Sequence, residues 1–225
     1  MRRITVLLAG FVLAGSVLLF WYPRAAAPRV QNPFEAAVLL EQDARDGGDG
    51  VVFRTEEVNP DEVYRALEAC YPYAFALHAT ERPDRTTVLR VEVPREARQE
   101  QAREYAAALA ADSVTADMSD MQKLRALHDA LVRLCAYDLD TAEEASPDGS
   151  SAPFAADGAL LDHKAVCAGY GRAFGMLCEA AGIQAVYVAS EEMNHGWNAV
   201  RLDGETYYID CTFDDPVVFT PIVNC

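Results

Sequence analysis

Apolar positions along the chain fall into a few blocks of distinct period. From Val166 they recur at Tyr170, Ala173, Phe174, Leu177 and Ala181, the spacing of one helical face, and Gly182 stands where a left-handed cap ends such a helix. An earlier block opens with the capping box Ser119-Asp120-Met121-Gln122 and sets Met121, Leu124, His128, Leu131 and Cys135 on one face. Asn59 before Pro60 marks another helix start, with Val63, Ala66, Leu67 and Cys70 inward. A further helix spans 95–111, polar at first and alanine-rich later. Between these lie strand-like runs: an edge strand over 51–58, then 71–79 and 86–93 joined across Arg82-Pro83-Asp84-Arg85. Residues 138–158 are dominated by Asp, Glu, Ser, Pro and Gly and read as a flexible loop.

The last two runs, 194–202 and 205–212, flank Asp203-Gly204, a two-residue hairpin signal. A two-residue turn pairs Leu202 with Glu205, so Val200 faces Tyr207, Trp197 faces Asp210 and His195 faces Thr212. Opposed residues share a face and alternation holds along each strand, so His195 and Asp210 become diagonal neighbours on one face. A three-residue loop would put them on opposite faces.

This pattern gives Cys167 a chemical setting. It falls in the first helical turn, among backbone N–H groups without helical partners and at the positive end of the dipole, where thiolate is favoured over thiol. A cysteine at a helix start, facing strands that carry a histidine and an aspartate, is a nucleophile–base–orienter set. His163, four residues before Cys167, is the competing base, but it lacks a carboxylate partner in the pattern. His128, alone on an apolar stripe, reads as structural. Asp138-Leu139-Asp140 lacks the further ligands and glycine of a calcium loop, and no CxxC or His-x-x-His spacing marks a metal site or cofactor.

At these residues the chain resembles a family. Val166-Cys167-Ala168-Gly169-Tyr170, His195-Gly196-Trp197-Asn198 and Tyr208-Ile209-Asp210-Cys211-Thr212-Phe213-Asp214-Asp215-Pro216 are similar to the bacterial transglutaminase-like domains of papain-type ancestry. The similarity runs from Ser119 to Pro216 in the order Cys, His, Asp. It implies an α+β fold, with the nucleophile helix packed on an antiparallel sheet. Cys167 would be the nucleophile, His195 the general base and Asp210 the group that orients the imidazole. It also implies thiol-dependent acyl transfer or hydrolysis at a glutamine-type amide or peptide bond through a thioester, as a transglutaminase, deamidase or peptidase. The partners would be a peptide or protein substrate and an amine acceptor, with cell-wall peptides one class. The alternative is a non-catalytic peptide-binding or surface module on the same fold. Gly196 departs from the family's alanine between the histidine and the tryptophan. The second oxyanion donor is not evident, with Tyr137 and Tyr170 as rim candidates.

Composition adds bounds. The chain has 225 residues, is 51% hydrophobic and carries a formal charge of −16, which argues against binding a phosphate backbone. Met1-Arg2-Arg3 before the uncharged run 4–22, with Ala25-Ala26-Ala27 following, points to a signal peptide or membrane anchor over 1–27 and an extracytoplasmic location. Residues 28–50 then read as a linker, with the short apolar patch Ala36 to Leu40 as a segment that can dock on the domain instead of staying free, and 51–225 as the transglutaminase-like domain, core 119–216. Of six cysteines, Cys167 and Cys178 cannot bridge, since eleven residues of helix separate them by about 16 Å against a limit near 7 Å. Cys135 and Cys178 read as core residues, and Cys225 is the best candidate for a bridge.

Overall fold

The computed structural model describes residues 27–144 and 149–214. Its elements in order are α1 (Pro33–Arg45), β1 (Val51–Arg54), α2 (Pro60–Cys70), β2 (Ala76–Glu81), β3 (Thr86–Glu92), α3 (Glu96–Ser113), α4 (Asp120–Leu134), β4 (Ala136–Tyr137), α5 (Leu139–Ala142), β5 (Lys164–Ala165), α6 (Cys167–Ala180), β6 (Ala185–Ser190), β7 (His195–Leu202) and β8 (Glu205–Ile209). The class is α+β, with two antiparallel three-stranded sheets ordered β1-β3-β2 and β6-β7-β8 and a short parallel pair, β4-β5.

Capping chemistry explains where the helices begin. The Asn59 side chain accepts the Asp61 N–H ahead of α2. Ser119 and Gln122 close both halves of the capping box on α4. α6 is buried nearly all round: Tyr170, Phe174, Met176 and Leu177 are each at most 1% exposed. It packs against α3 and α4 on one side and β6 and β7 on the other. Each such buried side chain contributes about 1.5–3 kcal/mol relative to exposure.

Several expectations are corrected. The segment read as a linker contains α1, whose Ala36, Ala37 and Leu40 lie in the main core. Asn32 caps it by accepting the Glu35 N–H, and Pro33 opens it. The edge strand at 51 ends at Arg54, where Thr55–Glu57 turns as a 3-10 helix. Cys70 and Met121 are exposed, each at the end of an amphipathic face where the core falls away. The loop region 138–158 includes α5 and a 3-10 turn at Ala152–Phe154, continuing into a π-turn at Gly158–Asp162. Asp138 is 5% exposed; it caps α5 through Thr141 and pairs with Lys164 at 2.9 Å, which absorbs its charge structurally.

Cys135, Cys178 and Cys211 are buried, Cys167 is partly exposed and Cys70 is exposed. The N-terminal signal or anchor and Cys225 lie outside the described residues. Among the described residues no helix is long and apolar enough to cross a membrane.

Candidate active site

α6 starts at Cys167, with Val166 as N-cap in extended conformation and no side chain capping the first turn. A second segment braces this end: the Val166 N–H donates to the Pro153 carbonyl at 3.0 Å. Gly169 permits the approach, since a Cβ there would stand 2.4 Å from the same oxygen. The first-turn N–H groups thus face the site instead of a capping side chain.

The sulfur of Cys167 does not sit in a simple thiolate-favouring field. Burial pushes its pKa up, the N–H groups of Gly196 and Ala168 beside it pull it down, and the negative charge of Asp210 pushes it up again. The net direction is upward, so the dipole argument from sequence is outweighed by desolvation. Burial here thus favours the thiol over the thiolate.

The hairpin brings a histidine and a carboxylate together. Leu202 pairs with Glu205, Val200 with Tyr207 and Asn198 with Ile209, the register expected from a two-residue turn at Asp203-Gly204. Both turn residues take positive φ, 51° and 87°. Asp210 follows β8 directly, and its Oδ2 lies 2.6 Å from Nε2 of His195. Its Oδ1 accepts the backbone N–H of Thr212 at 3.0 Å and the Thr212 hydroxyl at 2.6 Å. With Nε2–H donating to the carboxylate, Nδ1 is left as the basic nitrogen, a tautomer assigned from the hydrogen-bond network. Trp197 stacks beside the imidazole with centroids 5.9 Å apart, and Phe213 meets it edge-on at 5.6 Å. Met193, Tyr208 and Phe213 join these residues around an open cleft of about 320 Å³.

Strand alternation separates two roles. Along β7, His195 and Trp197 are half-buried, whereas Gly196, Asn198 and Val200 are buried against α6. The Asn198 amide donates to the Gly171 carbonyl at 3.0 Å, tying the base-bearing strand to the cysteine-bearing helix.

The other candidates divide clearly. Tyr170 is not at the rim: it is 1% exposed and its hydroxyl donates to the Cys135 carbonyl at 2.7 Å. Tyr137 is half-buried beside Cys167; burial raises its pKa and the negative sulfur adds to that, while the Cys167 N–H lowers it. His163 is exposed, in a left-handed conformation (φ 58°) at the turn before β5. His128 is mostly buried on α4, with Asp129 and Asp214 at 3.1 and 3.2 Å. β6 and its Tyr187 were not anticipated, although Ala185-Val186-Tyr187-Val188 is a short β-forming run. Among the described residues no cluster of three metal-ligating side chains occurs.

Comparison with known proteins finds similarity over this part of the chain. Residues 107–210 match the model of the transglutaminase-like superfamily core. The chain is 29% identical over 126 residues to Kyphoscoliosis peptidase of Mus musculus, covering 50% of this chain and 18% of that protein. It is 27% identical over 126 residues to Kyphoscoliosis peptidase of Homo sapiens, with the same coverage. The chain thus matches under a fifth of the length of these curated relatives. A crystal structure of a TGase superposes with a TM-score of 0.41 at 17% identity, covering 60% of this chain and 44% of that one.

Proposed function

The chain carries a transglutaminase-like domain, and from that premise we propose that Cys167, His195 and Asp210 form a catalytic triad for acyl transfer or hydrolysis at a glutamine-type amide or peptide bond. The observation that supports this most is the 2.6 Å contact of His195 with Asp210, on a strand whose next N–H, that of Gly196, addresses the Cys167 sulfur.

The roles follow from the chemistry. His195 Nδ1 takes the thiol proton as sulfur attacks the carbonyl carbon, forming the C–S bond. The carbonyl electron pair moves to oxygen, and the oxyanion accepts from the backbone N–H of Cys167 and from the Tyr137 hydroxyl beside it. His195 then gives the proton to the departing nitrogen, the C–N bond breaks and a thioester remains. Water or an amine attacks the thioester, His195 taking its proton and returning it to sulfur as the C–S bond breaks. Asp210 holds the ring in the productive tautomer throughout. The same proposal extends to location: the basic start and uncharged run within residues 1–27 support export, with surface or cell-wall peptides as the proposed substrates.

The test is alkylation of the full chain across pH, read cysteine by cysteine by mass spectrometry, followed by turnover of glutamine peptides with and without an amine. A Cys167 rate that collapses in His195→Ala and in Asp210→Ala supports the triad. A rate indifferent to both sinks it, and the peptide-binding module then becomes the better reading.

A further inference from the structure

Tyr187 stands opposite Asn198 in the β6–β7 ladder. A Cβ added at Gly196 would lie 1.9 Å from its hydroxyl oxygen and 2.5 Å from the carbon bearing it. A Cβ added at Gly171 would lie 2.6 Å from Cδ2 of the same ring. The ring therefore occupies space that two glycines leave open, one on the helix that starts at Cys167 and one on the strand that starts at His195. Substituting either glycine brings a methyl into the space the ring occupies, so the ring has to shift.

The third side is closed by Arg172, only 8% exposed, whose guanidinium carbon lies 5.3 Å from the ring centroid. Arg172 is held in turn by the Phe154 carbonyl at 2.8 Å and Glu68 at 3.7 Å. Among the described residues its buried Nε meets no hydrogen-bond partner. A buried arginine with an unmet donor costs stability, and a cation over an aromatic face recovers part of that by fixing the ring.

The geometry points to Tyr187 as a positioning residue of the Cys167 centre: its hydroxyl braces Gly196 so that this residue's N–H stays aimed at the sulfur. The inference rests on Cys167 being the reactive thiol. Burial raises the phenol's pKa, and the negative sulfur nearby adds to the rise, while Arg172 opposes it. The hydroxyl thus stays protonated, a neutral dipole beside the sulfur at every pH where the site works. Loss of the brace turns the Gly196 N–H away, and the thiolate loses a donor.

The experiment measures Cys167 alkylation by iodoacetamide in the full chain from pH 6 to 10.5, with thermal melting alongside. Tyr187→Phe removes only the hydroxyl. The expected result is an upward shift of the rate midpoint by about half to one pH unit, a three- to tenfold loss of thiolate at fixed pH, with the other native-state cysteine rates unchanged. Gly196→Ala is expected to shift it further, and Tyr187→Val added to Gly196→Ala to recover part of the loss by removing the atoms the methyl meets. An unmoved midpoint in Tyr187→Phe overturns the inference, as does an effect of Gly196→Ala that Tyr187→Val leaves unchanged. If Gly196→Ala does not fold, Tyr187→Phe alone decides. Failure here differs from failure of the triad, which would appear as a Cys167 rate insensitive to His195→Ala.

Discussion

Asn198 gives the sharpest stability prediction, because one atom separates three outcomes. Its side chain is 2% exposed and donates to the Gly171 carbonyl at 3.0 Å. Asn198→Ala removes a buried hydrogen bond and should cost about 1–2 kcal/mol. Asn198→Asp keeps the shape but sets a carboxylate oxygen against a carbonyl oxygen in a desolvated site, so its pKa in the folded state is raised above the unfolded value near 3.9. A rise of about two units is worth about 3 kcal/mol, with the nearby Arg172 guanidinium limiting it. The sign follows from proton binding: the folded form holds the proton more tightly, so stability falls as pH rises through the window from about 4 to 6 and is regained on acidification. At pH 5 the protonated acid can donate to Gly171 as the amide did. Melting curves at pH 7.5 and 5.0 are the assay, and 1 kcal/mol corresponds to about 2–4 °C for a domain of this size. Asn198→Asp should melt about 6–12 °C below wild type at pH 7.5 and close part of that gap, relative to Asn198→Ala, at pH 5.0. A gap between the two variants that does not narrow with acid would refute the argument.

Further outcomes follow from the same contacts. Tyr137→Phe should lower turnover about tenfold or more while leaving the Cys167 alkylation midpoint nearly in place, since it removes an oxyanion donor; equal turnover would dismiss Tyr137 from that role. In the native protein iodoacetamide should label Cys70 and Cys167, leaving Cys135, Cys178 and Cys211 for denatured samples, burial having pushed Cys178 up to about 12; mass spectrometry before and after guanidinium distinguishes these. Asp157 is fully buried and ion-paired with Arg95 and Arg98 at 3.0 Å each. Asp157→Ala should cost about 2–3 kcal/mol, less than a fully buried pair because both arginines reach solvent, and a denaturation midpoint equal to wild type would contradict it. Ser119→Ala should cost about 1 kcal/mol through the lost cap on α4, visible as a melting shift of a few degrees.

The hairpin was legible because its turn chemistry is local: Asp203-Gly204 dictates a two-residue loop, and the loop dictates which side chains share a face. Period and capping likewise exposed α2, α4 and α6. α1 showed in the sequence only as a docking patch over Ala36 to Leu40 within a linker, not as a helix, because its buried stripe is just Ala36, Ala37 and Leu40 beside exposed Phe34 and Val38, so its periodicity is blurred. The ionisation of Cys167 was misjudged for a different reason. Position in a helix can be read from sequence, but the degree of desolvation depends on what the sheet places above the sulfur. Gly196 looked like a minor departure from the family's alanine. Its necessity appears only with the Tyr187 hydroxyl in view, since a methyl there would stand 1.9 Å from that oxygen.

The docking of α1 also sets how far the folded body can stray from the segment before it. Val30 is already in the core, and Asn32 is fixed as the helix cap. Seven residues, 23–29, separate the uncharged run 4–22 from that fixed point, about 25 Å at full extension. If the run 4–22 is retained in a bilayer, the body stays within that reach of the lipid headgroups. Its substrates would then be drawn from a thin layer next to the surface, with reach set by the length of this leash before any affinity of the cleft comes into play.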